Sequence, residues 1–373
     1  MQHLLSTNNL ILTTLDCWIL QKLTKNCDLF ITEPSSISST GLFDPFTNTW
    51  GVQILQLIGF PFDSILLPLI SPTSLLSLTT DAELFGREIE ISACLGDAQS
   101  AAFGSGCIQK GDVNLSLGTG AILDFVSGDE VHASMCEVQV LTILKKDIAK
   151  NKVRSLKWGN LINLIPSLAP TELNKLCEES FNNEKDVEDD DITCFIPFGL
   201  LGNGNDDCSS LFGIRSSTNQ KQIARSIFKS IIFGIYQIWT CLLTQLSLND
   251  VKLIKRIRCC GGISLNNFIC QQICTLINLP LERVEEPQFC SAKGVALLAG
   301  IKQGLFKFSD VSVHGVVVSI AAFQAVGTGF WTPNQVEDFI VLERRFDPIQ
   351  QQRTFLLQQY NYWVDVQKRF GKS

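Results

Sequence analysis

The sequence predicts an α/β protein of about two domains, and three observations carry that expectation. The chain has 373 residues, long enough for about two buried cores of ordinary size. Residues 89–103 and 254–265 each run from an apolar strand into the start of a helix. Between them, Val113 to Leu117 and Ala121 to Phe125 flank Gly118-Thr119-Gly120 as a β-hairpin that opens the second domain. The boundary is placed near Cys107, giving domains 1–107 and 108–373.

Taken in order, Asp16 to Leu23 has a helical apolar pattern, and Phe30 to Thr32 reads as a short strand entering a Ser/Thr-rich turn at Ser35 to Thr40. A helical stretch follows Trp50. Ile89 to Cys94 reads as a strand, and Ala98 to Phe103 opens a helix of small residues able to pack closely. Residues 181–191 form a solvated acidic loop. From Gln220 to Leu246 a long amphipathic helix is expected, then a basic connection, the strand Ile254 to Cys259, the pair Gly261-Gly262 and a second helix starting near Leu265.

Charged residues make up 18% against 45% hydrophobic, the balance of a packed globular protein. A net charge of −7 argues against a nucleic-acid partner. The 14 cysteines form no paired C-x-x-C arrays and only 3 histidines accompany them, so neither zinc nor a disulfide framework is expected. Cys94, Cys107 and Cys241 read as small buried hydrophobes, Cys259-Cys260 as inert, and His132 and His314 as surface residues. The N-terminus lacks a basic n-region, and Pro61, Asp63 and Pro68 interrupt the apolar run at 54–70 well short of the ~20 residues of a spanning helix. The expectation is a cytoplasmic protein with no membrane partner; a homo-oligomer is left open.

Chemistry concentrates at two places. Asp97, in Gly96-Asp97-Ala98-Gln99-Ser100, sits at a strand-to-helix junction, where a carboxylate can take a proton from a hydroxyl. Gly118-Thr119-Gly120 is a bare turn whose N–H groups and threonine hydroxyl can approach phosphate oxygens. Together they suggest phosphoryl transfer to an alcohol. Gly261-Gly262, between a strand and a helix N-terminus, suits an oxygen-rich ligand. Each has a plainer explanation: Asp97 and Asn266 as helix N-caps, Thr119 as a turn residue, the glycine pair as a structural turn.

The order of these segments resembles the carbohydrate kinases of the FGGY family, with the glycerol kinases the nearest branch. Thr14-Leu15-Asp16-Cys17-Trp18, Ser38-Ser39-Thr40-Gly41-Leu42-Phe43-Asp44 and the Gly96-Asp97-x-Gln99 run follow in family order. Ser209 to Phe228 is similar to the family's second signature, with Lys229 at its closing acidic position. Gly261-Gly262 through Asn267-Phe268, then Gly294 to Gly300, resemble the adenosine-binding end. Gly41-Leu42-Phe43-Asp44-Pro45 and Gly111-Asp112-Val113 look most like a divergent animal branch.

The resemblance implies an actin-like ATPase (ribonuclease H-like) fold of two α/β domains, with ATP, Mg²⁺ and a glycerol-like polyol as ligands and glycerol 3-phosphate as product. Asp97 matches the catalytic base and, with position 98, the acceptor contacts. Gly118, Thr119 and Gly120 match the second-domain phosphate turn, and Gly261, Gly262 and Asn266 match positions at the adenosine. No residue is assigned as a metal ligand.

Departures are also expected. Nothing before Thr14 matches the family's first phosphate turn, so the first domain reads as a truncated remnant lacking the Arg-Glu acceptor pair, and its apolar sheet edges are expected to be exposed. Ala98 stands where a glutamine usually contacts the acceptor, Ile122 near a usual phenylalanine, and Val153 where a small glycine is expected near ATP. Val295 to Phe306 resembles Ile320 to Trp331, which reads as an insertion near 305–329. The alternative to an active kinase is therefore an impaired or inactive homologue that binds nucleotide or a protein partner.

Overall fold

The structure, a computed structural model, describes residues 10–38, 40–44, 46–71, 77–118, 121–126, 138–143, 146–151, 194–196, 210–246, 248–254, 256–303 and 340–370. Thr119, Gly120, Val153, His132, His314, the acidic run 181–191 and the segment 305–329 lie outside the described residues. The chain divides into two compact units. Unit 1 comprises Met1–Asp112, Asp124–Lys150 and Phe289–Val341; unit 2 comprises Val113–Leu123, Asn151–Gln288 and Leu342–Ser373.

Unit 1 opens with β1 (Leu10–Ile11), α1 (Leu15–Thr24), β2 (Ile31–Thr32) and α2 (Pro34–Ser38). Then come β3 (Phe43–Asp44), β4 (Thr49–Trp50), α3 (Val52–Leu57), β5 (Ile65–Leu66), β6 (Leu69–Ile70), β7 (Leu78–Thr79), α4 (Ala82–Phe85) and β8 (Glu90–Ile91). The strands pair two by two, β1 with β5 and β2 with β6 in parallel, β3 with β4 and β7 with β8 antiparallel. Short elements here have identifiable stops: Lys25 (φ 49°) and Gly86 (φ 73°) take the left-handed conformation that ends α1 and α4. Cys17, Leu20, Ile37 and Leu55 are buried, while Trp18, Phe46, Leu57 and Ile58 stand exposed.

Two sequence expectations change in this stretch. Ser35 to Thr40 is not simply a turn, because Pro34–Ser38 is helical. Proline is pre-set for a first helical position, and the Glu33 carboxylate accepts the otherwise unpaired N–H of Ser35 at 2.7 Å. The strand expected over Ile89 to Cys94 contracts to Glu90–Ile91.

The last elements of unit 1 are α5 (Asp97–Gly104), β11 (Val138–Ile143), β12 (Lys146–Asn151) and α9 (Cys290–Lys302). α5 and α9 meet without side chains at their closest points. A Cβ on Gly104 would lie 2.0 Å from the Cys290 carbonyl oxygen, and one on Gly294 would lie 1.9 Å from that of Ser100. Only glycine permits so close a backbone approach.

Unit 2 holds β9 (Val113–Leu117), the first half of β10 (Ala121–Val126), β13 (Cys194–Ile196), β14 (Ser210–Phe212), α6 (Gln220–Gln245) and α7 (Leu248–Leu253). It continues through β15 (Ile257–Cys260), α8 (Asn267–Ile277), β16 (Leu281–Val284), β17 (Leu342–Phe346) and α10 (Gln350–Phe370). Its main sheet runs β10-β9-β15-β16-β17, with β15 parallel to both β9 and β16 and β17 antiparallel to β16. The chain leaves unit 2 within β10, whose Asp124–Val126 pairs with β12.

Every residue of β15 and β16 is buried, as is typical of parallel strands covered on both faces. α8 packs against α6 and α10, and Phe233, Tyr236, Tyr360 and Trp363 interlock between the latter two, with the Tyr236 and Tyr360 rings edge-on at 4.9 Å. α6 starts at a capping box: Asn219 Oδ1 accepts the Gln222 N–H at 3.0 Å and Gln222 Oε1 accepts that of Asn219 at 2.9 Å. Its stretch Gln222–Thr244 is long and apolar enough to cross a membrane by length and composition. Ala224, Ile231, Ile235 and Leu242 from that stretch are buried in unit 2, so it serves as a core helix there.

Candidate functional site

The predicted site residues fall into two groups, one in each unit. Asp97 and Ala98 belong to unit 1; Gly118, Gly261, Gly262 and Asn266 belong to unit 2. In unit 1, the N-cap of α5 is Gly96, and Asp97 is the first helical residue. Its carboxylate is exposed, and Oδ1 accepts the Ala98 N–H at 2.8 Å. The plain N-cap explanation of Asp97 is thus only half met: it satisfies one first-turn donor without occupying the cap. The Ala98 side chain is buried and apolar.

A polar network lies behind this helix start. Asp16 accepts from the Thr32 hydroxyl at 3.1 Å and from the Glu33 N–H at 2.8 Å. Glu33, 1% exposed, accepts from both the N–H and the hydroxyl of Ser35. Ser35 Oγ in turn accepts the Gly96 N–H at 2.7 Å, and its carbonyl accepts Gln99 Nε2 at 3.2 Å. Burial, then the Asp16 and Glu33 carboxylates, push the nearby Cys94 thiol far above its ordinary range.

On the other side, Ser291 at the start of α9 donates to the Asp97 carbonyl at 2.9 Å, and Ser100 donates to the Ser291 carbonyl at 2.6 Å. Neither Ser35 nor Ser291 stands out in the sequence. Gly294, grouped by sequence with the adenosine end, faces Ser100 of α5.

In unit 2 the two glycine turns come together. β9 and β15 run parallel with Ser116 opposite Cys260, so Gly118 and Gly261 follow the carboxyl ends of neighbouring strands. Gly261 has φ 89°, and a Cβ there would lie 2.3 Å from the Leu117 carbonyl oxygen; its N–H donates to the Pro287 carbonyl at 2.7 Å. Carboxyl ends of parallel strands are where open α/β sheets bind ligands. Gly118 and Gly262 are exposed, with open space where a Cβ would be. Asn266 is buried and caps α8, its Oδ1 accepting the Ile269 N–H at 3.0 Å, so the capping explanation is realised for this residue.

Arg283, missed by sequence reasoning, secures this turn. Its buried guanidinium donates to the Ser264 carbonyl at 2.8 Å, to Asn267 Oδ1 at 2.9 Å and to Glu343 at 2.9 Å. Four hydrogen bonds from one planar group, two of them to Glu343, bind the turn, the first residue of α8 and β17 together. Among the described residues, no group of three or more His, Cys, Asp or Glu is placed to hold a metal ion.

Comparison with known proteins defines the class. The N-terminal domain model of the FGGY family of carbohydrate kinases matches residues 6–104 and the C-terminal domain model matches 194–302, together more than half of the chain. The chain belongs to the FGGY family of carbohydrate kinases. Among individual relatives, it is 32% identical to glycerol kinase 5 of Homo sapiens over 318 residues, covering 82% of this chain and 57% of that protein. It is 28% identical to glycerol kinase of Trichodesmium erythraeum over 81% of this chain and 60% of that protein. The chain thus spans little more than half the length of these relatives.

Among solved structures, it is similar to Plasmodium falciparum glycerol kinase with ADP, with a TM-score of 0.70 at 20% identity, covering 94% of this chain and 66% of that one. It is also similar to ligand-bound xylulose kinase from Lactobacillus acidophilus, with a TM-score of 0.71 at 14% identity, over 96% and 67%. These likenesses show the fold, the two-domain actin-like ATPase architecture expected from the sequence.

Proposed function

We propose that this chain carries the phosphoryl-transfer machinery of an ATP-dependent polyol kinase of the glycerol kinase type, with a glycerol-like alcohol as acceptor and glycerol 3-phosphate as product. The observation that carries the reading is that Gly118 and Gly262, exposed and with open space beside each, follow the carboxyl ends of adjacent parallel strands, where an oxygen-rich ligand can approach the backbone. The family and the named glycerol kinases among its relatives support the same reaction.

In that reaction Asp97 accepts the proton of the acceptor hydroxyl as its oxygen bonds to the γ-phosphorus, while the bond from phosphorus to the ADP oxygen breaks. An exposed carboxylate on the first turn of a helix is accessible to such a hydroxyl. Gly118, Thr119 and Gly120 are assigned to phosphate, and Gly261, Gly262 and Asn266 to the adenosine end. Asn266 keeps its cap while doing so, with Oδ1 held by the Ile269 N–H. Mg²⁺ would enter as an ion carried by the ATP phosphates, the usual mode for this cation, which asks for only one or two protein carboxylates.

Residence in the cytoplasm is part of the proposal, supported by free thiols at ten cysteines, Cys17 and Cys259 among them. The alternative, an inactive nucleotide-binding homologue, has less in its favour, because Asp97 and the glycine turns are all retained. Glycerol-dependent release of ADP from ATP tests the proposal. Turnover with glycerol or another simple polyol is expected, and none with any of them would refute it.

A further inference from the structure

We propose that Ser35 and Ser291 are positioning residues that clamp the backbone on both sides of Asp97 and so hold the catalytic base; the inference rests on the kinase reading. The peptide groups flanking Asp97 are each held by a serine distant in sequence. Ser35 Oγ accepts the N–H of Gly96 at 2.7 Å, and Ser291 Oγ donates to the carbonyl of Asp97 itself at 2.9 Å. The direction of the first bond is fixed, because a backbone N–H can only donate, and Ser35 Oγ can accept it while its own proton goes to the buried Glu33 carboxylate. The second bond depends on the close approach of α5 and α9. With any side chain at Gly104 or Gly294 the backbones would collide, and Ser291 would be held away from Asp97. Ser100, donating to the Ser291 carbonyl at 2.6 Å, closes the pair in return.

Neither serine side chain touches an acceptor in this account; both act through the backbone that aims the carboxylate. Such placement matters because a shift of about 1 Å in a reacting group can lower a rate about 10²-fold. Ser291 is the better probe, since it is partly exposed and its hydroxyl is bonded to no buried charge.

Ser291→Ala is expected to lower kcat about tenfold while the KM values for ATP and glycerol stay within about twofold, with Ser291→Thr, which keeps the hydroxyl, recovering most of the loss. In an Asp97→Asn background Ser291→Ala is expected to have no further effect, because both changes act through one carboxylate. An unchanged kcat in Ser291→Ala, or the same fold loss in both backgrounds, would overturn the clamp.

Hydrogen exchange separates this failure from that of the kinase reading. Ser35→Ala is expected to speed exchange of the Gly96 amide, with Ser35→Thr as the control that keeps the oxygen. Faster Gly96 exchange in Ser35→Ala, together with no turnover in the wild type, refutes the kinase reading and leaves the clamp's geometry standing. Unchanged exchange at Gly96 refutes the clamp whatever the turnover.

Discussion

The two halves of the candidate machinery are held by different means. Asp97 in unit 1 is aimed by side-chain hydroxyls bonded to backbone, across a helix contact that two glycines make possible. The glycine turns in unit 2 follow chiefly from strand register, since β9 and β15 end side by side and Gly261 is pressed against Leu117, with Arg283 bonded to the residues that come after. The surroundings differ in the same sense. β15 and β16 are buried along their whole length, whereas the two-residue strands of residues 10–91 accompany exposed Leu15, Trp18, Leu57 and Leu69. The proposed nucleotide turn therefore rests on a finished core, while the proposed proton acceptor depends on a few specific hydrogen bonds.

The contrast can be broken by separating the two roles. Asp97→Asn is expected to lower turnover about 10³-fold, the range of general-base loss, while leaving ATP-dependent stabilisation against heat intact. Loss of that stabilisation would tie Asp97 to nucleotide binding and dissolve the division. Next in size is the core beneath the glycine turns. Leu115→Ala, at a fully buried site in β9, should cost about 3 kcal/mol by denaturant unfolding; a cost below about 1 kcal/mol would mean this sheet is not the finished core described.

Gly261→Ala combines a left-handed φ with a clash against Leu117 and should cost about 2 kcal/mol while abolishing the ATP-induced shift in unfolding temperature. Retention of the full shift would show that the turn makes no contribution to nucleotide binding. The smallest effect belongs to the exposed region of unit 1. Leu57, 88% exposed, should tolerate Ser with a stability change within about 0.5 kcal/mol and with better solubility. A large destabilisation there would show that its exposure is not what the structure implies.

Much of this contrast was legible in the sequence, and the illegible part has a physical cause. The helix at Asp97, the glycine pair and the long helix from Gln220 were readable because each is announced within a few residues by apolar periodicity or a turn-forming glycine. The short helix at Pro34–Ser38 was read as a turn, since serines favour both and the bond from Ser35 to Glu33 decides the matter. Ser35 and Ser291 escaped notice because their bonds span 61 and 194 residues, and nothing local distinguishes them from other serines. Arg283 has no local signal; that it is buried and bonded to Ser264, Asn267 and Glu343 follows from the sheet's register.

The most direct test sets Asp97→Asn and Gly261→Ala beside the wild type in one assay, glycerol-dependent ADP release paired with ATP-dependent thermal stabilisation. The expected result is turnover in the wild type, turnover lost with stabilisation kept in Asp97→Asn, and both lost in Gly261→Ala. Equal loss of both properties in the two variants, or turnover surviving in Asp97→Asn, would contradict the account.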